Sequence, residues 1–345
     1  MTFLNVQDIH QLLKARKLVV IDLRSPEDQL SGISAGAVCC SAEEVLDQRD
    51  QLLANYQQIV LMCYQGMTSQ SLCQQLGHGF VSAEGGFAAW QKAGLPTEKP
   101  KSDPLKLRYQ QQIKLPGFGL QGQQKLSQAN ILLVGAGGLG APAMMYLAGA
   151  GVGHLTLVDD DEVSESNLHR QVIYTAADVG QSKVIQARNQ LLAMNPHIRI
   201  TAEEAKLTQE NAADLIAAAD LVIDGTDNIR TRYLINDHCL VSKTPWIYAA
   251  VSGFELQVAV FTHEAGNLCY RCLFEQLADD DAPNCSREGV LGPVPGMAAM
   301  IQVTEAIKYL IGLPQNLRHG MLSYNLLNHQ AKVLKYPPNQ RCTHR

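Results

Sequence analysis

Between Lys125 and Asp159 the chain contains no Asp, Glu, Lys or Arg, a stretch long enough to cross a lipid bilayer. Glycines at 135, 137, 138, 140, 149, 151 and 153, with Asn130 and His154, interrupt it. The interruptions cut the run into strand, turn, helix, turn and strand, which reads as a buried βαβ unit rather than a membrane span. At 345 residues the chain has room for two domains or one large one. Apolar residues make up 46% and charged residues 18%, which excludes disorder as the main state. A net charge of −5 removes the broad basic footprint of nucleic-acid binding.

The nine cysteines form an odd set spread from Cys39 to Cys342, and the opening MTFLNVQDIH lacks the regions of a signal peptide. The expectation is a reduced, cytoplasmic protein with no membrane association. In LPTEKPKSDP, residues 95–104, three prolines stand among charges and favour an extended spacer. This predicts an N-terminal domain over 1–98, a linker over 99–106 and a larger domain over 107–345. Short apolar runs alternate with helical stretches on both sides, the order of an α/β protein. In the larger part, ILLVGAGGLG, HLTLVD and LVIDGTD precede the alternating segments QVAVF and AKVLKY, so its sheet is expected to be mixed and mainly parallel.

Cys63 directly follows the apolar run IVLM and precedes a helical stretch, with Gly66 supplying the turn. A thiol held there faces backbone N–H groups and a helix start, which favour a thiolate or persulfide. The loop alone leaves open whether Cys63 is a nucleophile or a buried apolar thiol. Asp22 and Arg24 in VVIDLRSPED, the loop CYQGMT and EGGFAAW at 84–90 together resemble the rhodanese sulfurtransferases over about residues 1–98. Position 69 is Ser, where a cysteine-dependent phosphatase needs Arg, so sulfur transfer is favoured over phosphate hydrolysis. The resemblance implies that Cys63 carries a persulfide and that a cysteine desulfurase donates the sulfur. Ile33, Ser34 and Ala35 in GISAGA, and Met67 and Thr68 in the loop, depart from the usual rhodanese residues.

Gly135, Gly137, Gly138 and Gly140 follow a strand and open a helix, and Asp159 ends the next strand. Such glycines let backbone approach phosphate, and the acid can bind ribose hydroxyls. Taken alone, this motif serves many dinucleotide sites or none. Asp161, Asn167, Arg170 and Lys183 follow closely and suit a triphosphate, while Asp224 and Asp227 in LVIDGTDN suit Mg²⁺ beside phosphates.

From Arg108 to about Gly312 these segments, with LAGAGVG, GQSK, CYRC, NCSREGVLGPVPG and EAIK, are similar to the ThiF/MoeB/HesA family. The resemblance implies a Rossmann-like adenylating domain that uses ATP to activate the C-terminal glycine of a small ubiquitin-like sulfur carrier of the ThiS or MoaD type. It implies Asp159 at the ribose, Asn167, Arg170 and Lys183 at the phosphates, and Asp227 at Mg²⁺ and the α-phosphate. Cys285 in NCSREGV matches a cysteine that takes part in sulfur transfer. Cys269 and Cys272 have zinc-knuckle spacing, with Cys342 and His344 as the available remaining ligands for structural Zn²⁺. A homodimer is implied as well. Gln111 stands where relatives carry the Arg that reaches the ATP of the neighbouring subunit.

The expected protein is therefore bifunctional, coupling carrier adenylation to sulfur transfer in thiazole or molybdopterin synthesis, with the ThiF-like segments leaning to thiazole. A non-catalytic carrier-binding adaptor and a rhodanese-fused persulfide reductase are the competing readings. ATP turnover separates the first, and a bound flavin would support the second.

Overall fold

A computed structural model describes residues 3–15, 18–100, 104–264, 267–275 and 289–336. The chain divides into two compact units, with the boundary between Arg108 and Tyr109.

The first unit holds β1 (Phe3–Leu4), β2 (Val19–Asp22), β3 (Ile33–Ser34), β4 (Val38–Cys39), β5 (Ile59–Met62), β6 (Phe80–Ala83) and β7 (Thr97–Glu98). Five of these form a parallel sheet in the order β1-β6-β5-β2-β4. β2 and β5 are buried throughout because helices cover both faces. Ile9, Phe87 and Trp90 pack against one face, and Val45, Leu72 and Leu76 against the other. The proline-rich segment is not wholly a spacer. Thr97 and Glu98 pair with Ser34 and Ile33, and the Trp90 indole donates to the Pro96 carbonyl at 2.9 Å. The prolines withhold donors only at their own positions, so their neighbours are free to pair.

The second unit is built on β8 (Asn130–Val134), β9 (His154–Val158), β10 (Arg199–Glu203), β11 (Leu221–Asp224), β12 (Trp246–Ser252), β13 (Glu255–Phe261), β14 (Gly320–Asn325) and β15 (Gln330–Lys335). Their order is β10-β9-β8-β11-β12-β13-β14-β15. The first five strands are parallel and the last three antiparallel, as the alternating segments near the C-terminus predict. The chain leaves β8 toward β9 on one side and returns to β11 on the other. The crevice beyond the carboxyl ends of β8 and β11 is therefore the topological switch point, where open α/β sheets bind ligands.

The uncharged run forms β8, the helix Gly140–Ala150 and β9, and is buried by the helices Lys183–Met194 and Pro293–Ile311. No helix among the described residues is long and apolar enough to cross a membrane.

Candidate active sites

Cys63 lies just beyond β5, and its sulfur is the acceptor at the centre of a small polar cradle. The backbone N–H of Gly66 donates to Sγ at 3.1 Å and that of Ser69 at 3.4 Å, with the Ser69 hydroxyl also 3.4 Å away. Ser82 on β6 holds that hydroxyl at 2.8 Å. Burial acts to raise the thiol pKa, but the bonds from Ser69, Gly66 and Thr68 outweigh it and hold the thiol below its ordinary value. Gly66 adopts φ 90, and an added Cβ would lie 3.2 Å from the Ala83 carbonyl, so the loop needs glycine there. Cys73, on the helix that follows, has no such donors among the described residues, and burial pushes it up to about 11. Cys63 is thus distinguished by its hydrogen bonds. Asp22 and Arg24 form a buried pair at 2.7 Å, with the guanidinium 3.4 Å from the centre of the Phe87 ring. They brace the sheet end and do not contact Cys63 in any hydrogen bond.

In the second unit a cleft of about 410 Å³ opens at the switch point. Gly135 adopts φ 93 and faces Gly225, so closely that a Cβ on Gly135 would lie 2.7 Å from the Gly225 carbonyl oxygen. A Cβ on Gly140 would lie 1.9 Å from the Gly135 oxygen. The two strand ends and the helix start can meet only as glycines. Ala136 is held at both ends: its N–H donates to Asp159 at 2.7 Å, and its carbonyl accepts from Tyr174 at 3.0 Å. Burial raises the Asp159 pKa, opposed by Lys183 and by the N–H groups of Ala136 and Asp161.

Gly137, Gly138, Asp159, Asp161, Asn167, Arg170, Lys183 and Asp227 all line this cleft, so the structure brings these sequence-predicted groups together. Arg170 lies against Gly138, with its Cδ 3.3 Å from the Cβ position there, and its guanidinium donates to the Ser166 carbonyl at 3.1 Å.

Asp224 and Asp227, which the sequence pairs as candidate Mg²⁺ ligands, go to opposite fates. Asp224 is fully buried and lies outside the cleft lining. Its carboxylate accepts from the Thr226 N–H at 2.9 Å, the Thr226 hydroxyl at 2.6 Å and Arg232 Nε at 3.1 Å. With its oxygens committed to protein donors, it is not a metal ligand. Asp227 is exposed to the cleft, and its carboxylate has no protein partner among the described residues. Arg232 escapes a reading of the sequence because one cation in a polar helix resembles a solvated charge. Its signal is the spacing of eight from Asp224 in DGTDNIRTR.

Residues 109–344 match the ThiF family and residues 5–93 match the rhodanese-like domain. The chain belongs to the ThiF family. It is 42% identical over 240 residues to the sulfur carrier protein adenylyltransferase of Thermus thermophilus, covering 68% of this chain and 89% of the relative. It is 43% identical over 241 residues to the molybdopterin-synthase adenylyltransferase of Escherichia coli, covering 70% of this chain and 96% of that one. It is 43% identical over 221 residues to the adenylyltransferase and sulfurtransferase MOCS3 of Culex quinquefasciatus, covering 64% of this chain and 49% of that protein. The chain thus spans about half the length of this last relative. Among solved structures, E. coli MccB with MccA-N7isoASN superposes with a TM-score of 0.61 at 20% identity, covering 71% of this chain and 76% of that one, which shows the shared Rossmann-like fold. This chain is an enzyme of the adenylyltransferase kind, with a rhodanese-like sulfurtransferase domain.

Within this ThiF-family unit, Tyr109 and Gln112 fasten the helix Pro104–Ile113. The Tyr109 oxygen accepts from Asn195 at 2.9 Å, and the Gln112 side chain donates to the Ala150 carbonyl at 2.8 Å. Gln111, between them, is exposed and lies outside the cleft lining. Cys269 and Cys272 bring their sulfurs to 3.6 Å. Two thiolates about 2.3 Å from one tetrahedral zinc would stand roughly 3.8 Å apart, so this pair fits the ion. The helix Ile229–Ser242 anchors the knuckle: Asp237 receives a two-bond fork from Arg271 at 2.8 and 2.7 Å, and Asn236 accepts from the Tyr270 N–H. Cys285, Cys342 and His344 lie outside the described residues.

Proposed function

We propose that this chain adenylates the C-terminal glycine carboxylate of a small ubiquitin-like sulfur carrier and supplies the sulfur that replaces the adenylate. The observation that carries this is the switch-point cleft, in which a glycine turn, Arg170, buried Lys183 and unpartnered Asp227 converge. The carrier carboxylate attacks the α-phosphorus of ATP, pyrophosphate leaves, and an acyl-adenylate remains. Arg170, Lys183 and Asn167 offset the charge on the phosphates, while Asp159 orients the ribose. Mg²⁺ would supply further charge neutralisation beside the α-phosphate, with Asp227 as its holder, a role that an exposed carboxylate without protein partners fits.

Cys63 takes the sulfane sulfur of a persulfide donor, for which a cysteine desulfurase is the natural source, and releases the donor thiolate. The terminal sulfur on Cys63 then attacks the activated carbonyl and displaces AMP, leaving an acyl disulfide. The Cys285 thiolate attacks the Cys63 sulfur of that disulfide, releases the carrier thiocarboxylate and leaves a Cys63–Cys285 disulfide for a cellular thiol to reduce. A tether between the two units raises the effective concentration of persulfide at the adenylate. This chemistry belongs in the reducing cytoplasm. We read the assembly as a homodimer in which position 111 faces the neighbouring subunit's cleft. Structural zinc on Cys269, Cys272, Cys342 and His344 completes the reading, and metal analysis of wild type and Cys272→Ser tests it.

The deciding experiment is ATP–pyrophosphate exchange with Mg²⁺, comparing a MoaD-type carrier, a ThiS-type carrier and no carrier, with Asp227→Ala as the control. Similarity to the E. coli molybdopterin-synthase adenylyltransferase favours the MoaD arm, whereas the ThiF-like segments favour the ThiS arm. Exchange that depends on one carrier establishes adenylation and selects the pathway. Silence with both would favour a carrier-binding adaptor.

A further inference from the structure

Asp227 is the first residue after β11 whose side chain has no partner among the described residues, and the chain on either side of it is pinned. Gly225 donates its N–H to the Val134 carbonyl at 2.8 Å, which ties the turn to β8. Thr226 is gripped three times: its N–H and hydroxyl go to Asp224, and its carbonyl accepts from Arg232 Nη2 at 2.8 Å. Asn228 caps the following helix by accepting the Thr231 N–H at 2.8 Å. Arg232 also donates to the Ala249 carbonyl on β12 at 3.1 Å and stands 5.1 Å from the centre of the Tyr248 ring. One buried guanidinium therefore links the end of β11, the turn and β12.

We propose that Arg232, with Asp224, is a positioning residue for adenylation: the pair fixes the Thr226 peptide from behind so that Asp227 is presented to the Mg²⁺ and α-phosphate region. This rests on the adenylating role proposed above. A buried ion pair is a weak source of stability, since apolar residues of similar size often serve as well. What distinguishes this pair is where its hydrogen bonds end. Of the three groups the guanidinium binds, one is the peptide carbonyl immediately before Asp227, and Asp224 holds that same residue's N–H. Misplacement of a reacting group by about 1 Å can lower a rate on the order of 100-fold.

The test is Arg232→Lys in the full chain, which keeps the charge and loses the fork. Pyrophosphate exchange at saturating ATP should fall about 10- to 100-fold, and the Mg²⁺ concentration for half-maximal rate should rise. In an Asp227→Ala background the same substitution should change the rate less than about twofold, because residues acting as one unit are not additive. Losses that multiply in the double variant, or an unchanged Mg²⁺ dependence in the single one, would overturn the proposal. Should thermal unfolding show that Arg232→Lys does not fold, the paired Asp224→Asn/Arg232→Gln variant takes its place. It is expected to show the same loss, and a Mg²⁺ dependence like that of wild type would refute the brace.

Calorimetric titration with ATP, with and without Mg²⁺, separates this from a failure of the adenylating role. Even in a chain that does not exchange pyrophosphate, the Mg²⁺-dependent gain in ATP affinity should be lost in Arg232→Lys as in Asp227→Ala. Retention of that gain in Arg232→Lys would overturn the brace alone.

Discussion

Lys183 Nζ lies 2.7 Å from Asp161 Oδ2, with the lysine side chain 5% exposed and the carboxylate 65% exposed. The cation is thus held inside the cleft wall, and a bound phosphate can take over from Asp161 as its partner. Lys183→Ala should lower carrier-dependent pyrophosphate exchange by about 10²- to 10³-fold, the usual effect of removing one donor from a developing anion. Exchange within a fewfold of wild type would show that Lys183 only holds the loop.

Ser69 holds Cys63 through both its N–H and its hydroxyl, and Ser69→Ala removes the second of these. Burial, which acts in the opposite direction, stays in place, so the thiol pKa should rise. The pH profile of Cys63 alkylation by iodoacetamide, read on its own peptide by mass spectrometry, should therefore shift to higher pH. Alkylation at pH 7 should slow. A profile that does not move would mean the backbone N–H groups alone set the thiolate.

Gly140 and Gly149 share one helix but not one environment. Gly140→Ala places a methyl 1.9 Å from the Gly135 oxygen, whereas nothing lies within 4 Å of a Cβ at Gly149. The first change should destabilise by about 2 kcal/mol or more and lower the melting temperature by roughly 4–8 °C, with loss of nucleotide binding. Gly149→Ala should be neutral or stabilising, by up to about 1 kcal/mol from helix propensity. Equal melting temperatures for the two variants would contradict the close approach.

Among the described residues His263 buries both ring nitrogens without a hydrogen-bond partner, and burial lowers its pKa to about 4. The unfolded chain binds this proton near pH 6.5 and the folded chain only near 4, so the folded state loses stability as pH falls through that window. The loss amounts to on the order of 3 kcal/mol by pH 4. Asn tolerates the backbone φ of 55 at this position and does not titrate. His263→Asn should flatten the fall in melting temperature between pH 7 and pH 4.5. An unaltered slope would assign the acid sensitivity to other groups.

Gln111 is exposed between two anchored neighbours, which leaves its side chain available to a second subunit. In the proposed homodimer, Gln111→Arg should raise the exchange rate by adding a cation for the neighbouring subunit's ATP. A rate that is unchanged or lower would mean the family's charge at this position is not needed here.

What the sequence determined by itself was local and covalent. Glycine spacing specified the Gly135–Gly140 turn because only glycine lets two strand ends and a helix start approach so closely. Apolar runs and their alternation specified the parallel and antiparallel halves of the larger sheet, since a strand's side-chain pattern follows how many of its faces are covered. The position of Cys63 after a buried strand leaves a nucleophile and a buried apolar thiol both open, and Ser69, which the sequence shows only as a position without arginine, is one of the groups that bond its sulfur. Tertiary structure decided which of two like residues faces the cleft. Asp224 and Asp227 are three apart and chemically identical, yet Arg232, eight residues on from the first, folds back to bury one and leaves the other facing the cleft. Likewise the residues around Pro96 have the composition of a spacer, but its carbonyl meets Trp90 and the next two residues join a strand. Burial and hydrogen-bond partners depend on which distant segments arrive beside a residue, and local composition does not encode that arrival.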